Sequence, residues 1–309
     1  MKKIRITALI ISSLFVLCLC SCVFQPEDTD GALTQAPEST TAADSGAVTP
    51  EDDEAVTEIT GTLTFEGDIC KASDESAVVK NGKCYKIIKA GVYKITGTMN
   101  DGQIQVEVAD TDRVTLLLDN FDGKCSDSAV IYVINADKVY IDLEKGSVNN
   151  LTDGANYVFA NPADTKPNAC IYSADDLTIK GGGRLNVYAN YNNGIGCKND
   201  LDIKNGNITI SAINNAIKGN NSVTIMGDAD ITINNAEDAI KTDNIDRTDK
   251  GFIEILEKAS VVITCSDDAL QATQRVTITA TAKVTVISAS SAVNCDGTTD
   301  IADGSLIVQ

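Results

Sequence analysis

The 309-residue chain has no histidine and no tryptophan. Without histidine there is no Ser-His-Asp or Cys-His nucleophile, and with no CxxC pair either, a zinc site has nothing to stand on. Basic residues are scarce. Twenty-five Lys and Arg face 44 Asp and Glu, a formal net charge of −19. Such a surface repels nucleic acid phosphates, and any other polyanion unless cations intervene. Long apolar runs are also missing, since the stretch from Ile6 to Leu19 is too short for a comfortable membrane span.

That stretch reads as addressing information. Lys2, Lys3 and Arg5 precede it, and it closes on Leu19-Cys20-Ser21-Cys22. Basic flank and short apolar core mark a bacterial secretory signal over residues 1–21. Leu-x-Ser-Cys resembles the lipobox of lipoproteins and makes Cys22 the expected lipidated N-terminus of the mature chain, with an ordinary signal peptide as the alternative. Cys20 is a poorer lipid site, because bulky Leu19 would precede the cut. Residues 22–60 follow as an expected tether. Between 23 and 60 there are ten Asp or Glu, no Lys or Arg, and three of the chain's five prolines. A segment so charged and so poor in apolar groups cannot offset its chain entropy by burial. The expected address is the outer face of the cell membrane, reached through the lipid alone.

Of ten cysteines, Cys18, Cys20 and Cys22 belong to the signal, leaving an odd seven. Most are expected to be small buried hydrophobes of an exported protein living without oxygen. Cys70 with Cys84 is the pairing whose spacing suits a bridge.

From Gly61 onward the chain repeats. Asn-Asn-Ala-Ile-Lys at Asn214 returns as Glu-Asp-Ala-Ile-Lys at Glu237, 23 positions later. One column of [Val/Leu/Ile]-x-[Ile/Leu] runs through Val114, Val139, Leu177, Leu201, Val223, Ile253 and Val276. A second runs through Leu185, Ile208, Ile231, Val261, Val284 and Leu306. A third, at the turns, aligns Ala129-Val130, Ala169-Cys170, Gly194-Ile195, Ala216-Ile217, Ala239-Ile240, Ala269-Leu270 and Ala292-Val293. Apolar residues recur at two, β-branched residues dominate, and Gly, Asn and Asp punctuate. Each short segment alone has one apolar face, and stacking successive turns buries that face continuously. Residues 61–309 are therefore expected to form an all-β parallel β-helix of about eight coils. Each coil would hold three short strands and rise ~4.8 Å. An antiparallel sandwich is the alternative, but it has no reason to hold three columns in register. Longer spacings mark insertions near Asn149–Asn168 and Thr242–Lys250.

The segments GVYKITGTMNDGQIQVEV, DSAVIYVINADKVYIDL and ANYNNGIGCKNDLDIKNGNITI closely resemble the clostridial family of secreted carbohydrate-binding β-helix proteins, over nearly everything from residue 60 to 309. The resemblance implies a right-handed parallel β-helix related in shape to pectate lyases. It also implies bound calcium and binding to plant-type polysaccharides such as cellulose or pectin, without established catalysis.

Three groups of residues could carry chemistry. Aligned on the third column, Asn192-Asn193, Asn214-Asn215, Glu237-Asp238, Asp267-Asp268 and Ser290-Ser291 stack. Carboxylates ~4.8 Å apart repel by about 1 kcal/mol in water and about 3–4 kcal/mol at a protein surface. Glu237, Asp238, Asp267 and Asp268, with Asp243 nearby, therefore suit a hard cation such as calcium, which takes six to eight oxygens. Carboxylates splayed into solvent from turns are the alternative. Asp175-Asp176 and Asn199-Asp200 make a second oxygen cluster, with Asp176 and Asp200 as candidate ligands. Lys218 and Lys241 occupy equivalent places in adjacent coils, followed by Gln271 and Asn294. In lyases of similar fold a Lys or Arg of lowered pKa removes a sugar proton acidified by calcium. Lys241, three residues past Asp238, is expected instead to be ion-paired, which raises its pKa. Tyr172, Tyr188 and Tyr191 fall around one coil junction, with Tyr157 and Phe159 in the insertion beside it. In a chain without tryptophan they are the candidate sugar platform, and strand tyrosines packed at a sheet edge are the alternative.

The expectation is a monomeric, lipid-anchored surface protein that binds a polysaccharide with calcium and is not an enzyme. A calcium-dependent polysaccharide lyase and a structural adhesin are the alternatives.

Overall fold

The computed structural model describes residues 58–309. The signal sequence, Cys22 and the tether up to residue 57 lie outside the described residues. The described residues form strands and no helix.

The strands wind into a parallel β-helix whose columns are those of the sequence. On the first face Val139 pairs with Val114 and Leu177, and Leu177 with Leu201. Val223, Ile253 and Val276 continue the stack. On the second face Leu185, Ile208, Ile231, Val261, Val284 and Leu306 stack without a break. These residues point inward, and all but the terminal Leu306 are fully buried. Burying an isoleucine or valine is worth about 1.5–3 kcal/mol. Alternation puts Thr and Asn outside, which fixes register, because a one-residue slip would turn every apolar side chain to water.

The third face is a ten-stranded sheet in which nine strands, from Cys84–Ile87 to Ser291–Cys295, run parallel. The tenth, Val78–Asn81, adds antiparallel to Cys84–Ile87. Ile69–Ala72 likewise folds back antiparallel on Gly61–Gly67. Two hairpins thus close the N-terminal end, where an open coil would expose its core and unpaired strand edges.

Two details differ from expectation. Three strands per coil hold only from Ile131 onward. In the coils before, Gly91–Met99 and Arg113–Cys125 each run through the first two faces as a single bent strand. The bend sits at a bulge where Gly97 has φ 90° and Asn120 has φ 53°. A Cβ on Gly97 would lie 2.1 Å from the Phe65 carbonyl oxygen, so only glycine fits there. The second difference is a one-residue slip in the third column. Ile131 and Ile171, rather than Val130 and Cys170, pair with the column of Ile195, Ile217, Ile240, Leu270 and Val293. Cys170 is buried too, at the corner where the chain enters the sheet, so hydrophobicity alone could not choose between the two registers.

All seven cysteines of the described residues are free. Cys125, Cys170, Cys197 and Cys265 are buried, and burial pushes the Cys125 thiol up to about 11. Cys70 and Cys84 lie half-buried on separate hairpins and do not form the expected bridge.

Candidate functional site

The corrected register creates a line of outward side chains up the third face. Gln105 pairs with Tyr132, Tyr132 with Tyr172, Tyr172 with Gly196, and Gly196 with Lys218. Lys241, Gln271 and Asn294 complete it. Neighbours along this line are one coil apart, so an elongated ligand lying along the axis meets one side chain per coil.

Just before each of these strands runs the polar column. Asn215 donates from Nδ2 to Asn193 Oδ1 at 2.7 Å, and two coils further the Asp268 main-chain N–H donates to Asp238 Oδ1 at 3.1 Å. Asp238, Asp267 and Asp268 bring carboxylate oxygens within 4.8 Å of one another. Asp238 and Asp268 are buried and Asp267 is exposed. Two of the five expected members stand apart. Glu237 takes part through its main chain, accepting at its carbonyl from the Asp267 N–H at 2.8 Å, while its side chain is exposed and outside the cluster. Asp243 turns to the neighbouring coil and pairs with Lys218 at 2.5 Å. Asp243 lies past the end of the short strand Ile240–Lys241, in the stretch that leaves the third face.

Lys241 pairs with Asp238 at 2.9 Å, as its spacing foretold. Asn294 donates to Asp268 Oδ2 at 2.7 Å. Two oxygens on the same columns have no donor although buried: Asn215 Oδ1, one coil before Asp238, and Gln271 Oε1, on the strand that Asp268 begins. A buried acceptor without a partner costs about 1–3 kcal/mol. An oxygen-seeking cation would relieve it, so the donor set fits calcium in kind: carboxylates first, amide oxygens beside them.

The second expected cluster is different in kind. The Asp200 N–H donates to Asp176 Oδ1 at 3.3 Å, repeating the motif. However, Ser222 donates to Asp200 Oδ1 at 2.6 Å and the Lys250 ammonium sits 2.8 Å from Oδ2. Burial, followed by the neighbouring Asp200 charge, holds the Asp176 carboxyl above its ordinary range, with the Asp200 N–H working against it. These oxygens are already occupied, and they offer a cation little.

The three tyrosines do not form one platform. Tyr188 lies on the second face, paired with Thr152 and Ser211. Tyr191 stacks on Tyr157, with ring centroids 4.0 Å apart and planes at 14°. Tyr172 alone joins the outward line, 5.9 Å from the Tyr132 ring, and only 4% of its surface is exposed.

What covers Tyr172 is the insertion, residues 154–168, which has no strand and lies against the third face. It is pinned by Tyr157, whose hydroxyl meets Asp153 Oδ2 at 2.7 Å. The Asn190 N–H donates to the other carboxylate oxygen at 2.5 Å. Burial pushes Asp153 up to about 6. Lys166 extends from the insertion over Tyr172, with Nζ 5.3 Å from the ring centroid. On one side of Lys166 is a cleft of about 290 Å³, lined by Tyr172, Gly196, Lys218, Asp243 and amides. On the other is a cavity of about 380 Å³ with Tyr132, Phe159 and Gln105. Gly196 makes the notch, since a Cβ there would press on Ala169 at 3.0 Å and Tyr172 at 3.4 Å. Lys166 and Tyr132 were not among the expected site residues. The shift from Cys170 to Ile171 would have found Tyr132. Nothing in the sequence says where Lys166 lands.

The model of the family described as carbohydrate-binding domain-containing protein matches residues 81–305. The chain belongs to that family. A carbohydrate-binding domain-containing protein of Acetivibrio thermocellus is 45% identical over 155 residues, which is 50% of this chain and 54% of the relative. The chain thus spans about half the length of the curated relative it matches. Among solved structures, the gadolinium derivative of the polysaccharide lyase-like protein from C. thermocellum aligns with a TM-score of 0.77 and 42% identity. The alignment covers 81% of this chain and all of that one.

Proposed function

We propose that this member of the carbohydrate-binding domain-containing family is a lipid-anchored, extracellular polysaccharide-binding protein, calcium-stabilised and non-catalytic, acting as a monomer on plant-type glycans such as pectin or cellulose. The observation that carries it is the third face. One line of outward residues carries glycine notch, lysine and amide at coil spacing, with the edge of Tyr172 in the wall of the cleft and the Asp238, Asp267 and Asp268 oxygens beside it. Sugars are recognised by such mixtures of aromatic surface and convergent polar groups. Calcium, held by those three carboxylates with Asn215 and Gln271 oxygens alongside, would supply positive charge where two polyanions meet. Lipidation rests on Cys22 and the sequence before it.

Binding is favoured over elimination because both ladder lysines are engaged, Lys218 with Asp243 and Lys241 with Asp238. An ammonium already bonded to a carboxylate is not free to reach a sugar proton. The test is co-sedimentation with polygalacturonate and with cellulose, in calcium and in chelator. Retention by at least one polymer, weakened by chelator, is expected, and retention by neither overturns the reading. Unsaturated products, detected by ultraviolet absorbance, would move the protein to the lyases.

A further inference from the structure

The protein is strongly acidic, yet a cleft of the described residues carries surplus positive charge. The two grooves floored near Gly181–Gly183 and Gly227 each carry one more carboxylate than lysine, and the cavity beside Tyr132 is balanced. The cleft beneath Lys166 has three lysines, Lys166, Lys198 and Lys218, against the single carboxylate of Asp243, a local charge of +2 on a chain of −19.

The three lysines are not equivalent. Lys218 is neutralised by Asp243, while Lys166 and Lys198 are both exposed, and of these two only Lys166 lies over an aromatic ring. Lys166 has no carboxylate within ion-pairing distance among the described residues, and its ammonium rests on the Tyr172 ring. Desolvation first, then the Lys218 charge, lower its proton affinity, while Asp243 works the other way. A cation with no carboxylate partner beside a second cation is electrostatically unsatisfied, and an anion placed between them relieves it. Asp243 adds a complementary demand. Its Oδ1 is buried with no donor, which a sugar hydroxyl can meet.

We propose that Lys166 is the residue by which the site selects an acidic glycan over a neutral one, its ammonium receiving a carboxylate of a bound uronate seated in the Gly196 notch between Tyr172 and Lys218. This rests on polysaccharide binding as the function and adds the group that reads charge. It also gives the insertion a purpose, since residues 154–168 bring this cation onto a face whose ladder lysines, Lys218 and Lys241, are already paired.

The experiment compares wild type, Lys166→Met, Lys166→Arg and, as a control in a distant groove, Lys145→Met. Each is titrated with polygalacturonate, its fully methyl-esterified form and cellulose, after melting curves show that all four fold. Losing one charge-assisted contact corresponds to about a tenfold weaker affinity. Lys166→Met is expected to weaken polygalacturonate binding by about that factor and to leave the two neutral polymers within about twofold, Lys145→Met changing neither. A pH series adds a signature that packing alone would not give. The charged groups that share the two cavities of Lys166 are Lys218, Lys198 and Asp243 on one side and Lys83, Asp127 and Asp164 on the other, with the Tyr172 and Tyr132 phenols. Wild-type affinity should fall as pH rises through the lowered Lys166 pKa, whereas Lys166→Arg, which keeps its charge, should stay flat. Equal losses on charged and neutral polymers, or no loss, would overturn the assignment. So would displacement of the polymer by acetate or phosphate at equal anion concentration, which marks a general anion site. A wild type that binds cellulose alone overturns this inference while polysaccharide binding stands, and one that binds nothing overturns both.

Discussion

Two pairs of aspartates, one entering the first face and the other the third, make the same hydrogen bond, in which the lower carboxylate accepts the main-chain N–H of the upper residue. In the pair Asp176–Asp200, Ser222 and Lys250 take the remaining oxygens of Asp200. In Asp238–Asp268, a third acid, Asp267, joins instead, with Lys241 and Asn294 at the edges. Identical local chemistry therefore yields a closed ion network at one height and a surplus of negative oxygen at another. Stacked carboxylates are a ligand set only where the next coil fails to neutralise them.

The largest expected effect comes from a third kind of buried acid, one with no lysine at all. Asp153 is pushed up to about 6 by burial, with Tyr157 and the Asn190 N–H pulling it down. A carboxyl whose folded pKa exceeds its unfolded one near 4 holds its proton more tightly when folded. Its contribution therefore favours folding at low pH and is lost as pH rises through 6, by up to about 3 kcal/mol. Denaturant melts between pH 4 and 7.5 should show that slope in wild type and its absence in Asp153→Asn, and equal slopes would refute the assignment.

The next effect would break the comparison itself. Calcium at a hundred times its dissociation constant should raise stability by about 2.7 kcal/mol through Asp238, Asp267 and Asp268. Melting curves should lose this shift in Asp268→Asn and keep it in Asp176→Asn. The reverse result would mean that the closed network is the metal site. Smaller again, Lys250→Met should cost about 1–2 kcal/mol by stranding Asp200, in a pair whose side chains are mostly shielded from water. It should also confer a weak calcium dependence on the first pair, readable in the same melts with Asp268→Asn as background. At the bottom of the scale, Lys258 and Asp228 are 3.7 Å apart and largely exposed, and Asp228→Asn should move stability by less than about 0.5 kcal/mol.

Much of this was legible beforehand. The columns through Leu177 and Leu185 paired as the spacing required, and the Glu237-Asp238 step fell under Asp267-Asp268. The nine parallel strands of the third face follow from the same arithmetic that suggested about eight coils. The third column slipped by one residue at Cys170 because both candidates are apolar and both are buried, so burial could not arbitrate. Tyr188 and Tyr191 looked like neighbours of Tyr172 along the chain, but a corner separates them, sending one to the second face and the other onto Tyr157.

The sequence by itself determined the solenoid, because period and alternation are local properties, and a chain that repeats them has one way to bury every apolar stripe. It also determined which side chains become vertical neighbours. Only the tertiary structure decided which of those neighbours are satisfied. Ser222, Lys250 and Asp243 reach their partners from the coil above or from an aperiodic stretch, and Lys166 arrives on the third face by the return of an insertion that no repeat specifies. Aperiodic segments are placed by long-range contacts such as Tyr157 on Asp153 and Tyr191, and such contacts exist only after the coils have stacked.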